Sequence, residues 1–266
     1  MKRSEPAWGK YAAVFLLSFG SVRQRGGELL GRLLFLAILL FIFSHLWQVA
    51  FEGSAQSKFT DKELLWYLAL TEWVVLSLHG VQVEMERDIQ SGQIFSLLSK
   101  PWSYPLSQYM EALGHSFANF LILGGGAVGL AWGLSGSFLP GPWTFLLFVP
   151  LLWSAVMLGM IFQTIMGLFA FWMLDVQPLA WIWQKAIFIL GGLLLPLSFY
   201  PDWLERLAMF TPFPAMLFLP ATALVEGQMS LALEAMVLQV GWFLGALILV
   251  KLLLPKLERT FERIGG

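Results

Sequence analysis

Long apolar runs, separated by short polar interruptions, occupy most of the chain. Six of them approach or exceed the roughly 20 residues that a helix needs to cross the hydrocarbon of a bilayer. They cover residues 32–51, 63–83, 113–134, 143–171, 180–199 and 232–254. The pattern predicts an all-α integral membrane protein with six transmembrane helices. Connections at 51–62, 135–142 and 200–231 then fall on one side. The N-terminal segment, the 84–112 loop, the turn at 172–179 and the C-terminal segment fall on the other.

Three stretches break the simple alternation. Residues 11–19 are apolar over about nine positions, too few to span. They give way to Ser21-Val-Arg-Gln-Arg-Gly-Gly27 without a small-x-small cleavage site, so no cleavable signal peptide is read here. Residues 5–30 are expected to form an interfacial helix. Trp8, Tyr11, Phe15 and Phe19 would sit in the headgroup boundary, with Arg23 and Arg25 outside it. The first turn of a long tilted span is the alternative. Near the other end, Pro196 interrupts the fifth run, and residues 200–210 read as a short amphipathic helix with Asp202 near its start. Thr211-Pro-Phe-Pro follows. Breaking a helix at membrane depth requires protein or water to satisfy the freed carbonyls, so residues 200–220 are expected to dip back as a re-entrant cap. A plain outer loop with interfacial Trp203 is the simpler reading.

The third stretch, residues 84–101, is the internal segment that packs charges of both signs around an amphipathic helical pattern. Met85 and Ile89 share one helical face, Ile94, Leu97 and Leu98 form a second apolar set, and Gly92 offers a break between them. Glu84, Glu86 and Asp88 crowd the first turn, and Lys100-Pro101 closes the far end. Two short helices in a hairpin, outside the hydrocarbon, fit this better than one span.

Composition agrees. Of 266 residues 58% are hydrophobic and 12% charged, about half the charged share of a soluble domain. Thirteen Trp and 23 Phe suit a surface in contact with lipid. The absence of Cys removes disulfides and thiolate metal sites. Of the 16 Lys and Arg residues, 13 fall on the N-terminal side of the layout and three, Lys58, Lys62 and Arg206, on the other. That bias places both termini and the 84–112 loop in the cytoplasm. No internal repeat or linker divides the chain, which reads as one transmembrane domain over residues 1–266.

Nucleotide hydrolysis within the chain would need a Gly-x-x-x-x-Gly-Lys-Ser/Thr loop, and none is present. Gly124-Gly-Gly126 lies mid-span without a following Lys and reads as close helix packing. No His/Cys/Asp metal spacing and no hydrolase elbow appears. Catalysis by this chain alone is therefore not expected. Glu72 stands in the second span with His79 seven residues later. A carboxylate at that depth must be paired, protonated or wetted, which makes both residues candidates for a pathway and equally for structural hydrogen bonds. His45, Gln48 and His115 read as anchors near span ends, and Gln163 and Thr164 as interhelical glue. Asp175 and Lys185 flank the turn between the fourth and fifth runs.

The order of these signals carries a resemblance. An acidic residue, Ile89-x-Ser-Gly-x-Ile94, Leu97-Leu98 and Lys100-Pro101 resemble the first cytoplasmic loop of ABC-2-type transporter permeases, in the branch of bacterial exporter permeases usually encoded in pairs. Pro196-Leu-Ser-Phe-Tyr-Pro-Asp-Trp-Leu204, Thr211-Pro-Phe-Pro-Ala-Met-Leu-Phe-Leu-Pro220 and Glu226-Gly227 are similar to the family's outer segment between its last two spans. The resemblance implies the transmembrane domain of a type-2 ABC exporter, with an N-terminal elbow helix, a cytoplasmic coupling helix and re-entrant outer helices. In it Glu84, Glu86, Arg87, Asp88, Ile89, Gly92, Ile94, Leu97 and Lys100 would engage ABC ATPase subunits. Pro196, Tyr200, Trp203 and Phe213 would form an outer gate. The chain would hold no cofactor, ATP and Mg being bound by the partner ATPase. Its other partners would be lipid and a second permease, a paralogue in preference to a second copy, with no nucleic acid. A bacterial inner-membrane location follows, and so does export by alternating access. The aromatic-rich spans, with Phe35, Phe41, Phe43, Trp47, Trp66 and Trp73, suit an amphipathic or apolar substrate and equally serve lipid contact. A proton-coupled secondary transporter using Glu72 and His79, or a membrane scaffold that does not transport, are the alternatives from other classes.

Overall fold

The computed structural model describes residues 8–51, 59–98, 100, 102–139, 141–173 and 175–265. Every regular element among them is helical. In chain order these are α1 (Trp8–Gly20), a 3-10 turn (Ser21–Arg25), α2 (Gly26–Phe51), α3 (Asp61–Ser77), α4 (Val81–Gln90) and α5 (Ile94–Leu98). Next come α6 (Tyr104–Ser135), α7 (Pro142–Met173) and α8 (Gln177–Leu190). A 3-10 turn (Leu197–Phe199), α9 (Asp202–Met209), α10 (Phe213–Met216), α11 (Phe218–Glu226) and α12 (Met229–Gly265) complete the fold. Much of the predicted 51–62 connection, residues 5–7 of the predicted N-terminal helix and Pro101 lie outside the described residues.

Among the described residues, five segments are long and apolar enough to cross a membrane: Gly26–Val49, Asp61–Gln90, Tyr104–Ser135, Pro142–Met173 and Met229–Pro255. Each of them extends a predicted run at one or both ends. The predicted span at 180–199 is replaced by α8, whose 14 residues cover only about 21 Å at 1.5 Å per residue. The helix stops at Gly191-Gly192, ahead of Pro196, where the sequence pattern places the break. Gly192 takes φ +66°, a conformation open to glycine and costly for other residues. Two carbonyls released there are claimed by α3, whose Tyr67 hydroxyl donates to Gly192 O and whose Thr71 Oγ1 donates to Leu193 O at 2.7 Å. The break is placed where buried donors can meet it.

Beyond the break the chain runs through α9 and turns back into the bundle. Every residue of α10 and nearly all of α11 are buried, α11 lying against α3, α7 and α12. The centre of the molecule is α3, with Leu64–Val74 buried without exception. Its capping box starts it cleanly: Thr60 Oγ1 accepts from the Glu63 amide, and Glu63 accepts from the Thr60 amide at 2.7 Å. At the far end the indole of Trp73 donates to Phe120 O of α6 at 2.7 Å, and a Cβ on Gly124 would fall inside the Trp73 ring. The glycine cluster is thus a close-packing surface, as its sequence context implies. By contrast, α2 and α12 leave most of their apolar side chains on the outside.

The N-terminal helix is turned differently from expectation. Tyr11 is buried and its hydroxyl accepts from the Ser103 amide, while Phe15 and Phe19 pack on Phe117 of α6 with centroids 6.0 and 5.8 Å apart. These rings face protein. The exposed apolar set of α1 is Trp8, Leu16 and Leu17. Gly114 makes the approach possible, since a Cβ there would strike Phe15 O.

Candidate functional site

The segment between α3 and α6 forms a stapled hairpin. Its first feature is a break: α3 ends at Ser77, Leu78 is extended at ψ 136°, and α4 begins at Val81. The Arg32 guanidinium of α2 donates to Leu76 O and to Leu78 O, so a side chain from another helix caps the ends that the break exposes. Ser116 of α6 accepts from the His79 amide at 3.2 Å. His79 therefore does not stand on the helical face of Glu72, and the seven-residue spacing loses its meaning at the break. Glu72 itself is buried in α3, 3% exposed.

His79 instead joins a charged cluster. Arg25 Nη1 lies 3.1 Å from His79 Nδ1, and His79 Nε2 lies 3.0 Å from Glu84 Oε1. A guanidinium can only donate, so Nδ1 accepts, and Nε2 faces the carboxylate as a charge contact. Arg25 Nη2 approaches the same carboxylate at 3.9 Å. The His115 ring lies against His79 with centroids 4.6 Å apart, and its Nδ1 is 3.3 Å from Ser21 Oγ. The turn after α1, the α3–α4 break, α4 and α6 thus meet at one point. Arg25, expected outside the headgroups, is committed to this cluster.

Further along, Asp88 Oδ2 accepts from the Tyr104 hydroxyl at 3.0 Å and from Gln108 Nε2 at 3.1 Å. Tyr104 and Gln108 are one turn apart on α6, so they reach the same side. Glu86 is buried and accepts from Gln90 Nε2 at 3.0 Å. Met85 is fully buried and meets α7 where Gly167 leaves room. The turn at Ser91–Gln93 uses Gly92 at φ +72°, and α5 follows with Ile94 buried. Hence the two-helix hairpin has the shape that the residues imply, with a different outer face. Glu84, Glu86, Asp88 and Ile94 are engaged inside the chain, and Ile89 and Leu97 are half-buried. The exposed face carries Arg87, Gln90, Ser91, Gln93, Phe95, Ser96, Leu98 and Lys100, the last lying over the Trp102 ring at 5.3 Å. Glu84, Glu86, Asp88 and Ile94, expected to engage a partner, are thus tied into the chain, with Glu84 and Asp88 half-buried. Phe95 and Leu98, one turn apart at i and i+3, are the exposed apolar pair; the pattern placed Leu98 in the second apolar set and left Phe95 unassigned.

The outer residues are dispersed. Pro196 is buried at the start of the 3-10 turn, Tyr200 is half-buried, and Trp203 is exposed on α9. Phe213 is buried against Trp183 of α8 with centroids 5.0 Å apart. No group of three or more His, Cys, Asp and Glu residues suited to hold a metal occurs among the described residues.

A family model described as ABC-2 family transporter protein matches residues 33–263. No curated protein matches the chain.

Proposed function

We propose, from the premise that this chain belongs to the ABC-2 transporter family, that it is the permease of an ATP-driven exporter whose power enters through the 84–101 hairpin. It is a multi-pass membrane protein and the permease subunit of an ABC transporter, a class in which the ATPase is a separate subunit. The observation that carries the reading is the build of the hairpin. Its base is fixed to α6, α7 and the turn after α1 through Asp88, Met85 and Glu84, while Arg87, Phe95, Leu98 and Lys100 stand on its outer face. An anchored element with two exposed apolar side chains between cations has the composition of a docking surface with a desolvated centre and a charged rim.

ATP and Mg are then held by the companion ATPases. Two permeases, a paralogous pair in preference to two copies, enclose a pathway at their seam in a bacterial inner membrane, with both termini in the cytoplasm. ATP-driven closure of the ATPases moves the hairpins and opens the seam outward, and an amphipathic or apolar substrate leaves from the inner leaflet. Pro196, Tyr200, Trp203 and Phe213 belong to the outer closure, and buried Glu72 lies beside the path.

Purification from native membranes in mild detergent, with subunits identified by mass spectrometry, tests the reading. The wild-type chain is expected to bring an ATP-binding subunit with it. The double variant F95D/L98D is expected to reach the membrane at normal level and to lose that subunit. An undiminished ATPase on the double variant, or none on the wild type, would refute it.

A further inference from the structure

The contacts of His79 depend on its own charge. The residue stands in the break between α3 and α4 and is 7% exposed. Its backbone is pinned from behind, since its amide donates to Ser116 Oγ at 3.2 Å and the neighbouring Leu78 carbonyl accepts from Arg32. The ring is therefore the fixed member of the cluster. Its Nδ1 accepts from Arg25 Nη1 at 3.1 Å, which an imidazole can do only without a proton on that nitrogen. Its Nε2 faces Glu84 Oε1 at 3.0 Å.

A second proton on the ring upsets this arrangement. With His79 neutral, one cation, Arg25, meets one carboxylate, Glu84. Charging His79 sets a donor against the Arg25 donor and leaves two cations to one carboxylate, and like charges at this range repel most where water is scarce. They do not share the carboxylate equally: Glu84 Oε1 lies 3.0 Å from His79 Nε2 and 3.9 Å from Arg25 Nη2. The other charged or titratable groups around the ring are Arg32 of α2, already spent on Leu76 O, Leu78 O and Glu28, and His115 and Glu111 of α6. The neighbouring α7 carries none.

Arg25 is also the member able to leave. Its side chain is about a third open to water, whereas the imidazole is buried. It rides on a 3-10 turn of five residues, a form with poorer hydrogen-bond geometry than the α-helix. Besides Arg25, the polar link of that turn to another element, among the described residues, is Ser21 Oγ, 3.3 Å from His115 Nδ1.

We propose that His79 is a proton-operated latch between the turn after α1 and the base of the 84–101 hairpin. Neutral, it ties Arg25 and Glu84 together; charged, it keeps Glu84 and releases Arg25. The proton comes from the water that reaches Arg25 and Glu84. Acid thus frees the turn, while Asp88 and Met85 keep the hairpin on α6 and α7. The latch needs no ATPase and stands apart from the permease reading.

The test follows amide hydrogen exchange of the full chain in detergent by mass spectrometry, at about pH 7.5 and about pH 5.5, values within which imidazole changes charge. Rates are corrected for the intrinsic effect of pH. In the wild type, exchange across Ser21–Arg25 is expected to speed up at least about fivefold in acid, with α3 and α7 unchanged. His79→Gln retains an acceptor for Arg25 and takes up no proton, so its turn is expected to stay slow at both values. Arg25→Met is expected to be fast at both, and His115→Gln to respond as the wild type does. A wild-type turn indifferent to pH would overturn the proposal. So would a response that persists in His79→Gln or Arg25→Met, one that is lost in His115→Gln, or one that spreads over α3 and α7.

Discussion

Asp88, read in the sequence as a partner contact, is stapled into the fold by its carboxylate. Its Oδ2 holds the Tyr104 hydroxyl and Gln108 Nε2, both on a neighbouring helix. Removing it leaves the hydroxyl of a buried tyrosine without its acceptor, which costs about 1–3 kcal/mol. Asp88→Ala should therefore lower the melting temperature in detergent, and Tyr104→Phe should cost less because both polar atoms are not orphaned together. The double variant should fall short of the sum by at least about 0.5 kcal/mol, the signature of a direct pair. Additive losses would show that the bond carries no coupling. The charge pattern made Glu84, Glu86, Asp88 and Arg87 legible as a set. It did not tell which way each one faces, because three acidic residues within five positions circle the helix. The partners that decide the direction for Glu84 and Asp88, namely Arg25, His79, Tyr104 and Gln108, lie outside α4, Arg25 as far as the turn after α1. Such long-range pairing has no periodic trace.

At the scale of elements, the length and position of the long helices were legible and their burial was not. The runs that became α2 and α12 are as apolar as any and face outward, whereas α3, which carries Thr71, Glu72 and Ser77, is the buried one. In lipid the apolar residues need no core, and polar ones seek it, so a helix with hydroxyls and a carboxylate is drawn inward. Small residues are the other signal. Gly124 admits the Trp73 indole to the Phe120 carbonyl. Gly124→Ala puts a methyl group into that ring and is expected to destabilise by about 1–3 kcal/mol, seen as an earlier thermal transition in detergent. Adding Trp73→Phe should recover part of the loss, and no recovery would place the strain elsewhere. The fifth predicted span was misjudged because Leu193, Leu194 and Leu195 prolong the apolar run past the helix end, and hydrophobicity does not distinguish a straight helix from a bent buried chain. Gly191-Gly192 was the available signal, and Pro196 drew the break outward.

For the whole molecule the question is which way the hairpin points. The chain contains no cysteine, so single cysteines report topology without background. Gln93→Cys in inverted membrane vesicles is expected to react with a membrane-impermeant maleimide, and Asp202→Cys to react only in right-side-out vesicles. The opposite pattern would turn the molecule over and remove the hairpin from any cytoplasmic ATPase. Between those two sides stands α3. Its inner end adjoins the break from which the hairpin hangs, and its Tyr67 and Thr71 hold the carbonyls of Gly192 and Leu193. A single buried rod therefore touches both the handle below and the ceiling above. On the proposed alternating-access reading, a tilt of that rod at the hairpin end carries the broken segment with it, gearing the two ends through one helix instead of a chain of loops.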